Sequence, residues 1–323
     1  VVVVGLGGTI AMTPGGGGGA APALSAEHLV AAVPGLADTG VAVRAADFRR
    51  VPSASLGFGD LDALCGLLDE LFAEGADGVV VAQGTDTVEE TAYLLDLRHR
   101  RPQPLVVTGA MRHAALAGAD GPGNLLAAIT TAADPAARDR GCLVVLADEI
   151  HAADRVRKTH TTSTGAFRSP DGGPVGQVVA GRARFAHSPG PRVTVAPGGA
   201  PARVGLVTVV LGDDGALLDG AAERFDGLVV AAFGVGHVPA GLVGTLQELA
   251  RRIPVVLASR AGAGPVHTDT YAYPGSESDL LARGLVPAGY LAPVKARVLL
   301  RALLAAGTDR AGIGEVFARA GAL

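Results

Sequence analysis

Four short stretches of the chain carry side chains able to act on a small polar substrate. Gly7-Gly8-Thr9-Ile10, Gln83-Gly84-Thr85-Asp86-Thr87 and Thr108-Gly109-Ala110-Met111-Arg112 each set a hydroxyl beside glycine, and Lys158 stands ahead of the hydroxyl-rich Thr159-His160-Thr161-Thr162-Ser163-Thr164. Thr87 with Glu90 three residues later has the spacing of a capping box, which leaves Thr85 and Asp86 unused by the helix start. A hydroxyl, a carboxylate and a backbone N–H can then face one ligand. The plainer alternative for Asp86 is a helix-dipole partner. Lys158 and Lys295 are the only lysines in a chain that otherwise uses arginine. An amine at that place, where Arg is the habit, points to proton handling or activation of a hydroxyl. Gly7-Gly8-Thr9 permits a tight turn or a short phosphate cradle, although neither GxGxxG nor GxxxxGK[ST] is present.

These loops need a frame that delivers them to one place. Three of them directly follow apolar runs, and strands are predicted at Val1–Leu6, Gly78–Ala82, Leu105–Thr108 and Leu143–Leu146. Continuous rather than alternating hydrophobicity signals a sheet covered on both faces. Parallel sheets bind ligands beyond the carboxyl ends of their strands, so the three loops share one rim. Between the strands, helices are expected over Asp60–Glu74 with Asp60 as N-cap, from the Thr87 capping box through Arg98, and from Asp120-Gly121-Pro122 to near Ala133. The stretch Ser188–Ala202 holds Pro189, Pro191, Pro197 and Pro201 and reads as a linker. Beyond it come strands at Val204–Leu211, Leu228–Ala232 and Val255–Ala258, with helices at Ala240–Arg252 and Val294–Ala305. The fold class is therefore α/β: a larger N-terminal domain, 1–187, with a mainly parallel sheet covered by helices, a linker, 188–203, and a smaller C-terminal α/β domain, 204–323.

At 323 residues the chain is long enough for two cores, and with only 4% aromatic residues those cores must be built from Ala, Val and Leu. A net charge of −4 argues against a nucleic-acid partner. Cys65 and Cys142 form no CxxC pair and read as buried free thiols. His151, His160 and His267 lack metal-ligand spacing and read as ordinary loop or surface histidines. No charged residue precedes Glu27, but Pro14, Pro22 and the run Gly15 to Gly19 interrupt that stretch and no basic segment leads it. Neither a membrane span nor a signal peptide is expected there, and a cytoplasmic location is favoured over a secreted one. Because the chain begins at Val1 rather than Met, a removed leader stays open.

Taken together, the motifs resemble the bacterial-type L-asparaginase family of amidohydrolases. Gly7-Gly8-Thr9-Ile10, Gly84-Thr85-Asp86-Thr87-Val88-Glu89-Glu90-Thr91-Ala92, Thr108-Gly109-Ala110-Met111-Arg112, Ala119-Asp120-Gly121-Pro122-Gly123-Asn124-Leu125 and Lys158-Thr159 occur in the family's order. The resemblance implies hydrolysis of the side-chain amide of asparagine to aspartate and ammonia, without metal or organic cofactor. It makes Thr9 the nucleophile and places Thr85, Asp86 and Lys158 in a triad beside the substrate. Ser53, with Ser55 as its nearby competitor, would hold the substrate's α-carboxylate. The main-chain carbonyl of Ala110 would receive the leaving amide, and Glu277 would reach the substrate ammonium of a neighbouring subunit in a homotetramer or dimer. The plainer alternative for Glu277 is that it opens the helix leading to Arg283.

The sequence departs from the family in two places. The family's tyrosine in the mobile loop after the nucleophile has no counterpart between Met12 and Leu24, where five glycines follow Pro14 as a lid without acid or base. Tyr93 is explained by core packing. Tyr273, ahead of Tyr271, is then the candidate to accept the Thr9 proton from a neighbouring subunit, with a water held by Lys158 and Thr85 as the other route. The second departure is Gly234-Val235-Gly236-His237-Val238-Pro239, which lacks the family's asparagines and implies weaker affinity or altered selectivity against glutamine. The readings carried forward are an asparaginase, a glutaminase-asparaginase of broader specificity, and an amino-acid-binding homologue with weakened catalysis.

Overall fold

The computed structural model describes residues 1–14, 20–22 and 24–323. The chain divides into two compact units, Val1–Pro189 and Gly190–Leu323, each of α/β type. In the first unit an eight-stranded sheet runs edge to edge through Arg182–Phe185, Gly176–Val179, Glu149–Ala152, Cys142–Leu146, Leu105–Thr108, Val79–Ala82, Val2–Gly5 and Arg44–Asp47. The strands from Cys142–Leu146 to Arg44–Asp47 are parallel, and the other pairings are antiparallel. Val2–Gly5, Val79–Ala82, Leu105–Thr108 and Cys142–Leu146 are buried at every position, which is why they are apolar except at Thr108, whose hydroxyl donates to the Val145 carbonyl.

The antiparallel half begins with a two-residue turn in which Ala147 and Asp148 have φ of 50° and 61°. Two successive positive φ values let a tight hairpin follow the strands' twist. Arg44–Asp47, an edge strand of mixed polarity and mostly exposed, has no apolar run to announce it.

Helix boundaries correct the sequence reading at two caps. Helix Phe58–Ala73, expected over Asp60–Glu74, starts after Gly57 rather than at Asp60. Asp60 lies one turn inside, where its carboxylate accepts the Gly57 N–H at 3.0 Å, a first-turn anion rather than the N-cap. Thr87 precedes helix Val88–Arg98 but makes no side-chain cap bond. Its hydroxyl donates to the Ser53 carbonyl at 3.2 Å instead, because the tertiary partner lies closer to hand than the helix's own amides. Helix Gly121–Ala133 lies where expected. Cys142 is buried but Cys65 only half-buried, on the flank of its helix. His151 is a further correction: it is a fully buried strand residue whose Nδ1 lies 2.9 Å from Ser169 Oγ, not a loop or surface histidine.

In the second unit a parallel sheet orders Val204–Thr208, Gly227–Ala232, Val255–Ser259 and Val286–Pro287. The first strand ends at Thr208, short of the expected Leu211, where Val210 and Leu211 turn out to solvent. Helix Val243–Arg252, preceded by a 3-10 turn over Ala240–Leu242, buries Val243, Leu246, Leu249 and Ala250, one stripe at helical spacing. Helix Pro293–Ala305 packs on three of the strands. A last helix, Arg310–Ala320, escaped the sequence reading because Gly312 and Gly314 lower its propensity; Asp309 caps it by accepting the Gly312 N–H at 2.8 Å.

Met12–Pro14 and Ala20–Pro22 pair as an antiparallel ribbon. The glycine run expected to act as a lid lies outside the described residues. Among the described residues no helix is long and apolar enough to cross a membrane.

Candidate active site

Register places the loops. Gly5 is level with Ala82 and Ala82 with Thr108 across adjacent parallel strands, so the residues that follow each strand emerge along one rim. Gly8 then binds the first loop to the second. It adopts φ of 83°, and a Cβ there would fall 2.1 Å from both N and Cα of Gly84. Only glycine satisfies both the left-handed backbone and the approach. Gly84 is equally confined, since a Cβ on it would meet Ser53 Oγ at 2.6 Å. Thr9 opens the next turn, Thr9–Ala11, and is half-buried.

Thr85–Thr87 forms a 3-10 turn at the entrance to helix Val88–Arg98. Lys158 Nζ donates to Thr85 Oγ1 at 3.0 Å and lies 2.9 Å from Asp86 Oδ1. Thr85 is buried, whereas the Asp86 side chain is 66% exposed and so faces whatever occupies the rim. The Lys158–Asp86 pair is open to solvent at Asp86, where water screens it, which makes geometry rather than fold strength the reason to notice it. The amine fixes the orientation of a hydroxyl and leaves a carboxylate open to solvent.

Ser53 is buried and belongs to the same corner: its Oγ accepts the Asp86 N–H at 3.2 Å. Ser55, its competitor, is exposed. Ala110 is fully buried, following Gly109, where a Cβ would meet Gln83 O at 2.6 Å and Thr85 Cγ2 at 3.1 Å. Thr85, Asp86, Lys158 and Ser53 are thus joined by hydrogen bonds, and the loops bearing Thr9 and Ala110 are packed on the same turn.

Three residues support this corner whose roles the sequence reading did not assign. Asp120, read as a helix start, turns its carboxylate to the N–H groups of Met111 and Arg112 at 2.9 and 2.8 Å. Asn124 donates to the Gly109 carbonyl at 2.9 Å and accepts the Ala147 N–H at 2.9 Å, tying the Ala110 loop to the positive-φ hairpin. Glu89 accepts the Lys158 backbone N–H at 2.7 Å. Asp120 and Asn124 are four apart in a helix's first turns, a spacing that puts both on one face. No local signal connects Glu89 to Lys158, 69 residues away.

The remaining candidates belong to the second unit. Glu277 opens helix Glu277–Ala282 and is fully buried. Its Oε1 accepts the N–H groups of Thr270 and Tyr271 at 2.8 and 2.7 Å, and its Oε2 lies 3.2 Å from His237 Nε2. Burial pushes this carboxyl up, but the N–H groups of Tyr271, Glu277 itself and Thr270, with the His237 ring, outweigh it and hold the group below the usual carboxylate range. Tyr271 and Tyr273 are about half exposed and meet the His237 ring edge-on, with centroids 4.9 and 5.3 Å away. Tyr93 is buried in the first unit, where burial pushes its hydroxyl well above its ordinary value. Among the described residues no cluster of three or more His, Cys, Asp or Glu could hold a metal ion.

Comparison with known proteins places the chain in a family. Residues 1–190 match the family model "Asparaginase, N-terminal" and residues 203–317 match "Glutaminase/Asparaginase C-terminal domain". The chain is 40% identical to a probable L-asparaginase of Deinococcus radiodurans, over 96% of this chain and 94% of that protein. It is 33% identical to L-asparaginase 2 of Escherichia coli, over 98% and 92% of the two chains. The crystal structure of a probable cytoplasmic L-asparaginase from Campylobacter jejuni superposes with a TM-score of 0.87 at 32% identity, covering 98% of each chain. On its motifs, its two-unit fold and both family models, the chain belongs to the asparaginase family.

Proposed function

We propose that the chain hydrolyses the side-chain amide of L-asparagine to L-aspartate and ammonia through an acyl-enzyme on Thr9. The observation that carries this reading is Lys158 Nζ, held at 3.0 Å from Thr85 Oγ1 and 2.9 Å from Asp86 Oδ1 beside the Thr9 turn. An amide is a poor electrophile with a poor leaving group, so its cleavage needs an oriented hydroxyl, a site for the oxyanion and a route for protons. Thr9 Oγ1 attacks the amide carbon while its proton passes to a base. The backbone N–H of Thr85 meets the oxyanion, the base passes the Thr9 proton to the amide nitrogen, and the C–N bond breaks so that ammonia leaves past the Ala110 carbonyl as the ester forms. Water, oriented by Thr85 and Lys158, then cleaves the ester and regenerates Thr9.

Specificity follows from the substrate's two charges. Ser53 Oγ accepts from Asp86 N and keeps its own proton to donate to the α-carboxylate, while exposed Asp86 receives the α-ammonium. In this reading Glu277 adds a second negative charge to a neighbouring subunit's pocket in a homotetramer or dimer. Its depressed pKa keeps it ionised for that purpose. The catalytic domain is assigned to 1–187, the connecting segment to 188–203 and the C-terminal domain to 204–323. A cytoplasmic location belongs to the same proposal.

Ammonia release from asparagine, with mass spectrometry of quenched enzyme for an aspartyl adduct on Thr9, tests the proposal. No release, or release without Thr9, refutes it. A glutaminase-asparaginase is the second reading, favoured by His237 and Pro239 at the segment where amide side chains were expected. A glutamine-to-asparagine kcat/KM ratio near one would establish it.

A further inference from the structure

We infer that Glu89 is a positioning residue for catalysis, acting through the backbone of Lys158. The inference rests on the asparaginase reading of the site and adds a residue to it. Glu89 sits in the first turn of helix Val88–Arg98, where a glutamate needs no explanation beyond the helix dipole. Its Oε1, however, accepts the Lys158 N–H at 2.7 Å, a short charge-assisted bond to a distant segment.

Arg157–Lys158 is a two-residue strand that pairs with Phe167–Arg168, and the next bond of the ribbon, from Thr159 N–H to the Ala166 carbonyl, is 2.7 Å. The Lys158 N–H is directed to Glu89 rather than to the ribbon. A closed ring results: the turn and helix that carry Thr85, Asp86 and Glu89 grip Lys158 at its backbone through Glu89 and at its tip through Thr85 and Asp86. The Thr85 and Asp86 contacts hold the amine, and the Glu89 bond keeps the root of its four-torsion side chain from drifting, so the amine is fixed from both ends. Misplacement by about 1 Å is enough to cost a catalytic group roughly a hundredfold in rate. Glu89 touches no reacting atom in this scheme, and its charge is less important than its acceptor oxygen.

The test compares Glu89→Ala, Glu89→Gln and Lys158→Met, alone and combined, in asparagine hydrolysis by the full chain. Glu89→Ala should lower kcat by about ten- to a hundredfold with KM within about threefold. Glu89→Gln keeps an acceptor and should stay within about threefold of wild type. In a Lys158→Met background Glu89→Ala should cost nothing further, since its route is gone. A wild-type kcat for Glu89→Ala, an equal loss in Glu89→Gln, or an undiminished loss in the Lys158→Met background would each overturn the inference.

A second readout separates this inference from the activity on which it rests. With two lysines in the chain, 15N-lysine labelling gives two backbone amide signals, and Lys295 serves as the internal control. The Lys158 signal should be protected from exchange in wild type and Glu89→Gln and lose protection in Glu89→Ala, while Lys295 stays put. If wild type releases no ammonia, the functional reading fails, and an unchanged Lys158 amide in Glu89→Ala would still sink the positioning role independently.

Discussion

Two polar corners, one in each unit, pair a carboxylate with a basic side chain, and they are built on opposite principles. At Thr85-Asp86 the carboxylate is 66% exposed and meets Lys158 at a rim, with one hydroxyl buried beneath it. At Glu277 the carboxylate is fully buried and takes two backbone N–H groups and an imidazole, capped outside by Tyr271 and Tyr273. Ionised oxygens offer about four acceptor sites, so Glu277 has already committed most of its capacity internally while Asp86 has not. A carboxylate backed by peptide N–H groups fixes a loop. One that meets only a lysine at a rim is available to a ligand.

The largest effect should come from the first corner. Thr9→Ala, Thr85→Ala and Lys158→Met are each expected to lower kcat about a thousandfold or more with the melting temperature nearly unchanged, because members of one catalytic unit fail together. A wild-type rate in Thr9→Ala would reduce that residue to a turn former and dissolve the contrast. Gly8→Ala attacks the same corner through its frame. With φ of 83° and Gly84 only 2.1 Å from the added Cβ, it should destabilise the first unit and abolish turnover. The backbone conformation alone costs roughly 1–3 kcal/mol, measurable by urea denaturation. A fully stable Gly8→Ala would mean that the two loops part without penalty.

Asn124→Ala should come next. It leaves the Gly109 carbonyl and the Ala147 N–H without their partner, at about 1–3 kcal/mol for each group that water cannot reach. Calorimetry should register the loss, and kcat should fall with it, since the Ala110 loop is released. A stable variant with full activity would show that the Ala110 loop holds itself.

In the second corner the signature to read first is the pH dependence of stability. The folded-state pKa of Glu277 is depressed, so its contribution to stability is complete above the ordinary value of 4.5 and is lost as pH falls through the lower folded value. Glu277→Gln should remove that acid-side dependence from thermal melts, leaving a flatter profile. An unchanged profile would place the acid sensitivity elsewhere. Smallest of all, Tyr271→Phe and Tyr273→Phe remove hydroxyls from rings already explained by their packing on His237, and kcat should change by less than about tenfold, below the roughly hundredfold low end of general-base loss. A larger fall in either variant would identify that phenol, supplied by a neighbouring subunit, as the base for Thr9.

Much of the first corner was legible in the chain itself. Apolar runs of strand length, each followed by glycine and a hydroxyl, specify both a covered parallel sheet and the rim where its ligands bind, because these follow from periodicity and from local turn chemistry. A lysine in an arginine-rich chain marked itself by type. The second lysine, Lys295, was equally conspicuous and is fully buried in a helix, which no local pattern reveals. Sequence likewise read Thr87 and Asp60 as caps and His151 as a surface residue, since residue type and short spacing are all it offers. Tertiary structure decided otherwise, directing Thr87 to Ser53, Asp60 back to Gly57 and His151 to Ser169. It also buried Ser53 against the Asp86 N–H while leaving Ser55 exposed, and linked Glu89 to Lys158 across 69 residues. Hydrogen-bond partners of polar side chains depend on which backbones pass nearby, and that proximity is created only when the strands find their register.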